Sequence, residues 1–280
     1  MISRLGKYNK RDYILERFES IDEFIKTIEA RPISPQYANN STAKDVRSND
    51  ISDPRWTGAK SYEDAKKQFI EGTKAKSEML KAYQTDVDPH QRQAVNAPCG
   101  CAPIVAHALM GIPDAMVDIR RKRIPKATRV VVNMSIRSGT SASDITEAGK
   151  KIIAAIGKLE SQGISTEILC SKDAEVRTAL SSCSIAIKNA GQAFNAARVS
   201  FSMSSPAFLR VFQFAHMSSQ PDTPFDGGYG RALSYVFERK ELLDYYRTMY
   251  GDGIYISLAD VQRFGQSEID RAIETWRNGR

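Results

Sequence analysis

Cysteine, histidine and tryptophan are scarce, with 4, 3 and 2 residues in 280. Cysteines at 99, 101, 170 and 183 are too few to staple a disulfide scaffold. Cys99-Gly100-Cys101 lacks the C-x-x-C spacing of redox and zinc sites, and His90 and His107 do not supply the usual ligand spacing. Thiols without a redox or metal role, in a reducing compartment, are the expectation. No apolar run approaches the ~20 residues that span a bilayer. Met1 to Lys10 carries charge without the apolar core of a secretory signal, so a cytoplasmic location is expected. Nucleotide and hydrolase motifs are missing too. There is no G-x-x-x-x-G-K-[ST], H-E-x-x-H or G-x-S-x-G, and Gly227-Gly228-Tyr229-Gly230 has the wrong spacing and position for a dinucleotide fingerprint. His216, beside Phe208, Phe212 and Phe214, reads as a core histidine. A non-enzymatic protein with no cofactor is expected.

What is present is ordinary for a globular chain: 41% hydrophobic and 26% charged residues, with 17 glycines and 11 prolines. The length allows one large domain, or one domain with an extension. The charge is less ordinary. The formal net charge is +7. Between Val117 and Arg137 stand Arg120, Arg121, Lys122, Arg123, Lys126, Arg129 and Arg137, against the single acid Asp118. Such a patch attracts polyanions, because each neutralised phosphate releases a counterion. Arg120, Arg121, Lys122, Arg123, Lys126 and Arg129 are therefore the expected nucleic-acid-binding residues. An acidic protein partner is the other reading of the same patch.

Hydrophobic spacing predicts a helix over residues 12–29, through Ile14, Leu15, Phe18, Ile21, Phe24, Ile25 and Ile28, ended by Pro32 and Pro35. Residues 36–55 read as loop. Ser61 caps a helix that Gly72 interrupts, and residues 84–115 are rich in turns. From residue 126 the pattern changes. Arg129 to Ser135 is a β-branched strand, a helix runs to Leu159, and Ile164–Cys170 and Ser182–Lys188 are further strands. Helices are expected from Pro206 to Met217, from Gly228 to Tyr246 and from Ser267 to Arg277, with a strand at Gly253–Ser257. Alternating strands and helices imply an α/β domain with a mostly parallel sheet over 117–280, preceded by a mostly helical extension over 1–116.

Three segments carry a resemblance: Asn133-Met134-Ser135-Ile136-Arg137-Ser138 after a strand, Asp226-Gly227-Gly228-Tyr229-Gly230 before a helix, and Ile254-Tyr255-Ile256-Ser257-Leu258-Ala259-Asp260. Their order and spacing over residues 126–280 resemble the von Willebrand factor A domain. That family holds Mg²⁺ through D-x-S-x-S, a threonine and an aspartate. The resemblance implies a doubly wound sheet with its interaction face at the carboxyl ends of the strands. Here the ring departs from the family. Asn133 replaces the first Asp, Arg137 stands where the second Ser belongs, with Ser138 beside it, and Tyr229 replaces the Thr. Ser257 and Asp260 compete for the last position. Mg²⁺ retention is not expected. The Arg137 guanidinium is instead expected in the ion's space, paired with Asp226 or Asp260. The phrases Trp56-Thr57-Gly58, with Ser61-Tyr62-Glu63-Asp64-Ala65, and Gly111-Ile112-Pro113-Asp114-Ala115-Met116 resemble uncharacterised proteins of tailed phages.

These readings combine into one expectation: a phage interaction protein of the host-cell cytoplasm that binds nucleic acid, with single-stranded DNA as one candidate, and recruits a protein such as a polymerase. The basic stretch is expected beside the recognition face, with Tyr229, Tyr235, Tyr245 and Tyr246 available for base stacking. The alternatives are a protein–protein adaptor of the A-domain type that binds no nucleic acid, and a site with residual Mg²⁺ dependence. No membrane partner is expected.

Overall fold

The β-branched run Val130-Val131-Val132 lies in mid-sheet with all three side chains buried, so both faces of its strand are covered. A computed structural model describes residues 2–84, 92–121, 126–176, 179–220 and 229–279. The chain opens with a hairpin, β1 (Ile2–Tyr8) and β2 (Arg11–Phe18), followed by α1 (Ile21–Ala30). Asn9 and Lys10 turn the hairpin at φ 47° and 68°, the left-handed pair that a tight two-residue turn needs. Two short helices, α2 (Ser41–Asp45) and α3 (Pro54–Thr57), precede α4 (Tyr62–Glu71) and α5 (Lys76–Gln84). Next come β3 (Arg92–Ala97), β4 (Ala102–Pro103), α6 (Val105–Leu109) and β5 (Met116–Arg121). The second half holds β6 (Lys126–Asn133), α7 (Ala142–Ser161), β7 (Ile164–Val176), β8 (Ala179–Lys188) and α8 (Ala196–Ser204). A π-helical stretch, Phe208–Gln213, leads into α9 (Phe214–Met217). The last elements are β9 (Arg231–Ala232), α10 (Arg239–Tyr250), β10 (Ile254–Ser257), α11 (Leu258–Phe264) and α12 (Gln266–Asn278).

The fold is α/β. The main sheet runs β1-β2-β8-β7-β6-β10, with β9 added beside β7. β7, β6 and the edge strand β10 are parallel, and β2 is parallel to β8. The β1·β2, β7·β8 and β7·β9 pairs are antiparallel. One face packs Val130, Val132, Ile168 and Cys170 against α1, α4, α5, α7, α8, α11 and α12. On the other, Val131 and Leu169 lie under α10, through Leu242, Tyr245, Tyr246 and Met249. β3, β5 and β4 form a separate small antiparallel sheet. Among the described residues no helix is long and apolar enough to cross a membrane.

Several expected elements differ. Residues 12–29 are not one helix: Arg11–Phe18 is a strand, and the helix begins only after Ser20, whose side chain accepts from the Glu23 amide. Ile14, Leu15 and Phe18 are buried in a strand covered on both faces, which leaves no period-two alternation to read. β2 pairs with β8, so the main sheet draws on both sides of residue 116. Residues 36–55 are not plain loop. Arg47 donates to the carbonyls of Arg31 (2.8 Å) and Ala215 (3.0 Å), tying α2 to the core. The helix expected from Gly228 to Tyr246 is β9 and a tight turn before α10. Gly230 explains the change: at φ +77° a Cβ would lie 2.4 Å from the Glu175 carbonyl, so the chain here lies flat along β7. The split at Gly72 and the Ser61 cap are as expected.

Candidate functional site

β6 ends before its neighbour does. Asn133 and Ser171 are the last pair, while β7 continues to Val176. β9 takes over the freed edge, with Ala232 opposite Ala174 and Arg231 opposite Glu175. Between the loop that leaves β6 and this inserted strand lies a cavity of about 1240 Å³, at the carboxyl ends of β6 and β10. This is the crevice where open α/β sheets bind ligands.

The lining is one-sided in charge. Arg137, Lys172, Arg210, Arg231 and Arg263 border the cavity, and among the described residues no Asp or Glu does. Their roles differ. Arg210 is buried and donates to the carbonyls of Trp56 (2.7 Å), Ser138 (3.0 Å) and Thr140 (2.8 Å), so it builds the wall. Arg231 pairs with Glu175 at 2.9 Å. Arg137 lies 4.5 Å over the Tyr235 ring and Arg263 4.9 Å over the Phe264 ring. Neither has a carboxylate within ion-pair distance among the described residues. Lys172, 2% exposed, donates to the Met217 sulfur at 2.8 Å, and burial lowers its pKa to about 8. Aromatic rings share the wall. Tyr229 stacks on Phe214 at 4.0 Å, and Trp56 lies 6.1 Å from Phe214.

The family's model for a domain of unknown function, DUF7192, matches residues 6–271. The chain belongs to the DUF7192 family. Neither the curated proteins nor the solved structures include a match.

In this DUF7192 chain the positions of the expected metal ring are close together but already engaged. Asn133 is buried. Its amide donates to the Tyr246 hydroxyl (2.7 Å), and its oxygen accepts from the Ser135 and Asp173 amides (2.9 and 3.4 Å). Ser135 Oγ accepts from the Asp173 amide at 3.1 Å. Ser257, paired with Asn133 across the strands, caps α11 by accepting from the Asp260 amide at 3.3 Å. Burial raises the Asp260 carboxyl, against the pull of Arg239 and the Ser257 hydroxyl. Arg137 is not paired with Asp260, because Tyr235 holds its guanidinium. Asp226 lies outside the described residues. Ser138 contributes its carbonyl rather than its hydroxyl, and Tyr229 a ring. Among the described residues no three His, Cys, Asp or Glu side chains are grouped to hold a metal ion.

The basic stretch is described only in part. Arg120 and Arg121 end β5 in the small sheet, paired with Gln93 and Arg92. Lys122 and Arg123 lie outside the described residues. Lys126 opens β6 at the end opposite Asn133. Lys126 is therefore not beside the cavity. β6 separates the two by roughly 23 Å, at about 3.3 Å per residue. Arg129 is engaged, donating to Glu167 at 2.7 Å and to the Tyr250 carbonyl. Among the described bases between 117 and 137, Arg137 borders the cavity. Tyr245 and Tyr246 are buried on the inner face of α10, whereas Tyr229 and Tyr235 reach the cavity.

Sequence reasoning missed Lys172, Arg210, Arg231 and Arg263. Two carried a signal. Arg210 is a lone base inside Phe208-Leu209-Arg210-Val211-Phe212, and Lys172 continues a buried strand expected to end at Cys170. A charge inside a buried run needs a partner or a ligand. Asp173 is the matching acid on the other face. Burial raises its carboxyl, although the Ser171, Ser182 and Tyr250 hydroxyls all donate to it.

Proposed function

We propose that this chain is a non-enzymatic interaction protein that binds nucleic acid, as a single strand, in the cavity at the carboxyl ends of β6 and β10. The lining carries the reading: uncommitted cations, stacking rings and no described carboxylate in one concave site. Cations take the phosphates and ring faces take the bases, a combination that tolerates sequence. A duplex presents its charge on a convex exterior, which a concave cavity meets poorly. The strand order β8-β7-β6-β10 and the crowding of Asn133, Ser135 and Ser257 at the strand ends support the von Willebrand A resemblance, with the metal's place given over to side-chain and backbone hydrogen bonds. The tailed-phage resemblance supports a setting in the host cytoplasm.

A protein partner, with a polymerase as one candidate, forms the second part of the reading. Its support is α6, between β4 and β5, where Val105, Leu109 and the capping Met110 stand exposed at 64%, 84% and 66%. Apolar side chains clustered at a surface mark contact sites.

Fluorescence-anisotropy titration with single-stranded and duplex DNA at two salt concentrations tests the proposal. The single strand should bind more tightly, and log affinity should fall against log salt with a slope near −0.7 per neutralised phosphate, about −2 for three contacts. Equal or absent binding of both forms would reject it and leave the adaptor reading.

A further inference from the structure

We infer that the inner wall of the cavity is a seat for a terminal phosphate group, and that Lys172 binds it. The inference rests on the nucleic-acid reading above and names which part of the strand enters.

Two cations of the lining are almost wholly buried, Lys172 and Arg210, each 2% exposed. Arg210 is committed to three carbonyls. Lys172 is not. Its ammonium carries three N–H donors, and the one hydrogen bond it makes among the described residues goes to the Met217 thioether, a weak acceptor. Buried ammonium groups are ordinarily matched by an anion. Among the described residues, the groups around this one do not supply it. Asp173, next in the strand, points to the opposite face and takes three hydroxyl donors there. Cys183 faces Lys172 across β8 as a buried thiol, and burial raises its pKa well above the ordinary value. His216 on α9 is engaged with Glu16. The missing counter-charge is an anion that enters through the cavity.

Depth selects which phosphate. A phosphodiester in mid-strand needs room for chain on both sides, and an ammonium 2% exposed offers room on one. A terminal phosphate fits, and its second ionisation adds charge that a diester lacks. Arg137 and Arg263, nearer the mouth, remain for the next phosphates along the strand.

The test compares oligonucleotides of one sequence ending in a 5′-phosphate, a 3′-phosphate or hydroxyls alone. They are titrated against the full chain and against Lys172→Met, which keeps the side-chain volume and removes the charge. At pH 7 a phosphate-ended strand should bind about tenfold more tightly than the hydroxyl-ended one. Lys172→Met should erase that ratio by lowering the phosphate-ended affinity more than the hydroxyl-ended one, and in the wild type the ratio should shrink above pH 8 as Lys172 loses its proton. Comparing the 5′ and 3′ forms identifies the preferred end. Equal affinities for all three strands would overturn the inference and leave the nucleic-acid reading standing, as would a ratio that persists in Lys172→Met. If no strand binds, the nucleic-acid reading fails, and inorganic phosphate tests the seat by itself. A phosphate-dependent rise in Tm that Lys172→Met abolishes would keep the seat, and no rise would overturn it.

Discussion

The indole Nε1 of Trp56 donates to the Ser138 carbonyl at 2.9 Å, joining a helix of the first sixty residues to the loop that leaves β6. Arg210 completes the joint by bonding to the Trp56, Ser138 and Thr140 carbonyls while its guanidinium lies 4.9 Å over the Trp56 ring. Arg210→Met should therefore cost about 3 kcal/mol, since the buried Thr140 carbonyl and the part-buried Trp56 carbonyl lose their donor at roughly 1–3 kcal/mol each before relaxation, while Ser138 keeps the Trp56 indole. Denaturant unfolding measures this. A loss under about 1 kcal/mol would mean that the wall stands without Arg210.

Lys172 should make the protein more stable in mild alkali. Its pKa is lowered from 10.5 to about 8 by burial, so below pH 8 the fold carries the full cost of a buried charge. Between pH 8 and 10.5 the unfolded chain binds more protons than the folded one, and stability rises. The gain relative to Lys172→Met approaches roughly 3 kcal/mol, at 1.36 kcal/mol per unit. Parallel pH profiles of the two proteins would contradict this.

Glu16 and His216 set the acid limit. They are hydrogen-bonded at 2.6 Å in the core, with Arg31 on the same carboxylate at 2.8 Å. Burial lowers the His216 pKa against the pull of Glu16, so stability should decline as pH falls below 6.5. Burial alone would raise Glu16, but the bonds from His216, Arg31 and Gln220 hold it well below the carboxylate range. Its contribution is full above about pH 4.5 and is lost as pH falls further. In His216→Gln the decline between pH 6.5 and 5 should shrink while the steep loss below 4.5 remains. Thermal melts across that range show whether the two windows separate.

Ser135→Ala should cost about 1 kcal/mol, because Oγ accepts from the buried Asp173 amide. The cost should be the same with and without Mg²⁺. A Mg²⁺-dependent rise in Tm that this substitution removes would favour the residual-metal alternative.

The sequence and the structure agree where one element's own residues decide. Val130–Val132 is a strand, Gly72 breaks a helix, and Ser61 caps one. They part where a distant partner decides. The segment holding Ile14 and Phe18 became a strand because β8 offered an edge, and local spacing cannot report that edge. The carboxyl ends of β6 and β10, where the cavity lies, were legible from Asn133, Ser135 and Ser257. The cavity's charge was not, because Lys172, Arg210 and Arg263 come from β7, the π-helical stretch and α11. The run from Arg120 to Lys126 drew the eye by density along the chain, yet Lys126 stands at the far end of β6 from the cavity that gathers cations in space.

The most direct measurement is the single-strand affinity of Arg137→Ala/Arg263→Ala beside that of a variant neutralising Arg120, Arg121, Lys122 and Arg123, at two salt concentrations. The cavity account predicts that the first variant loses at least tenfold in affinity and flattens the salt slope, and that the second changes little. The reverse pattern would place the nucleic acid on the basic stretch and contradict the account.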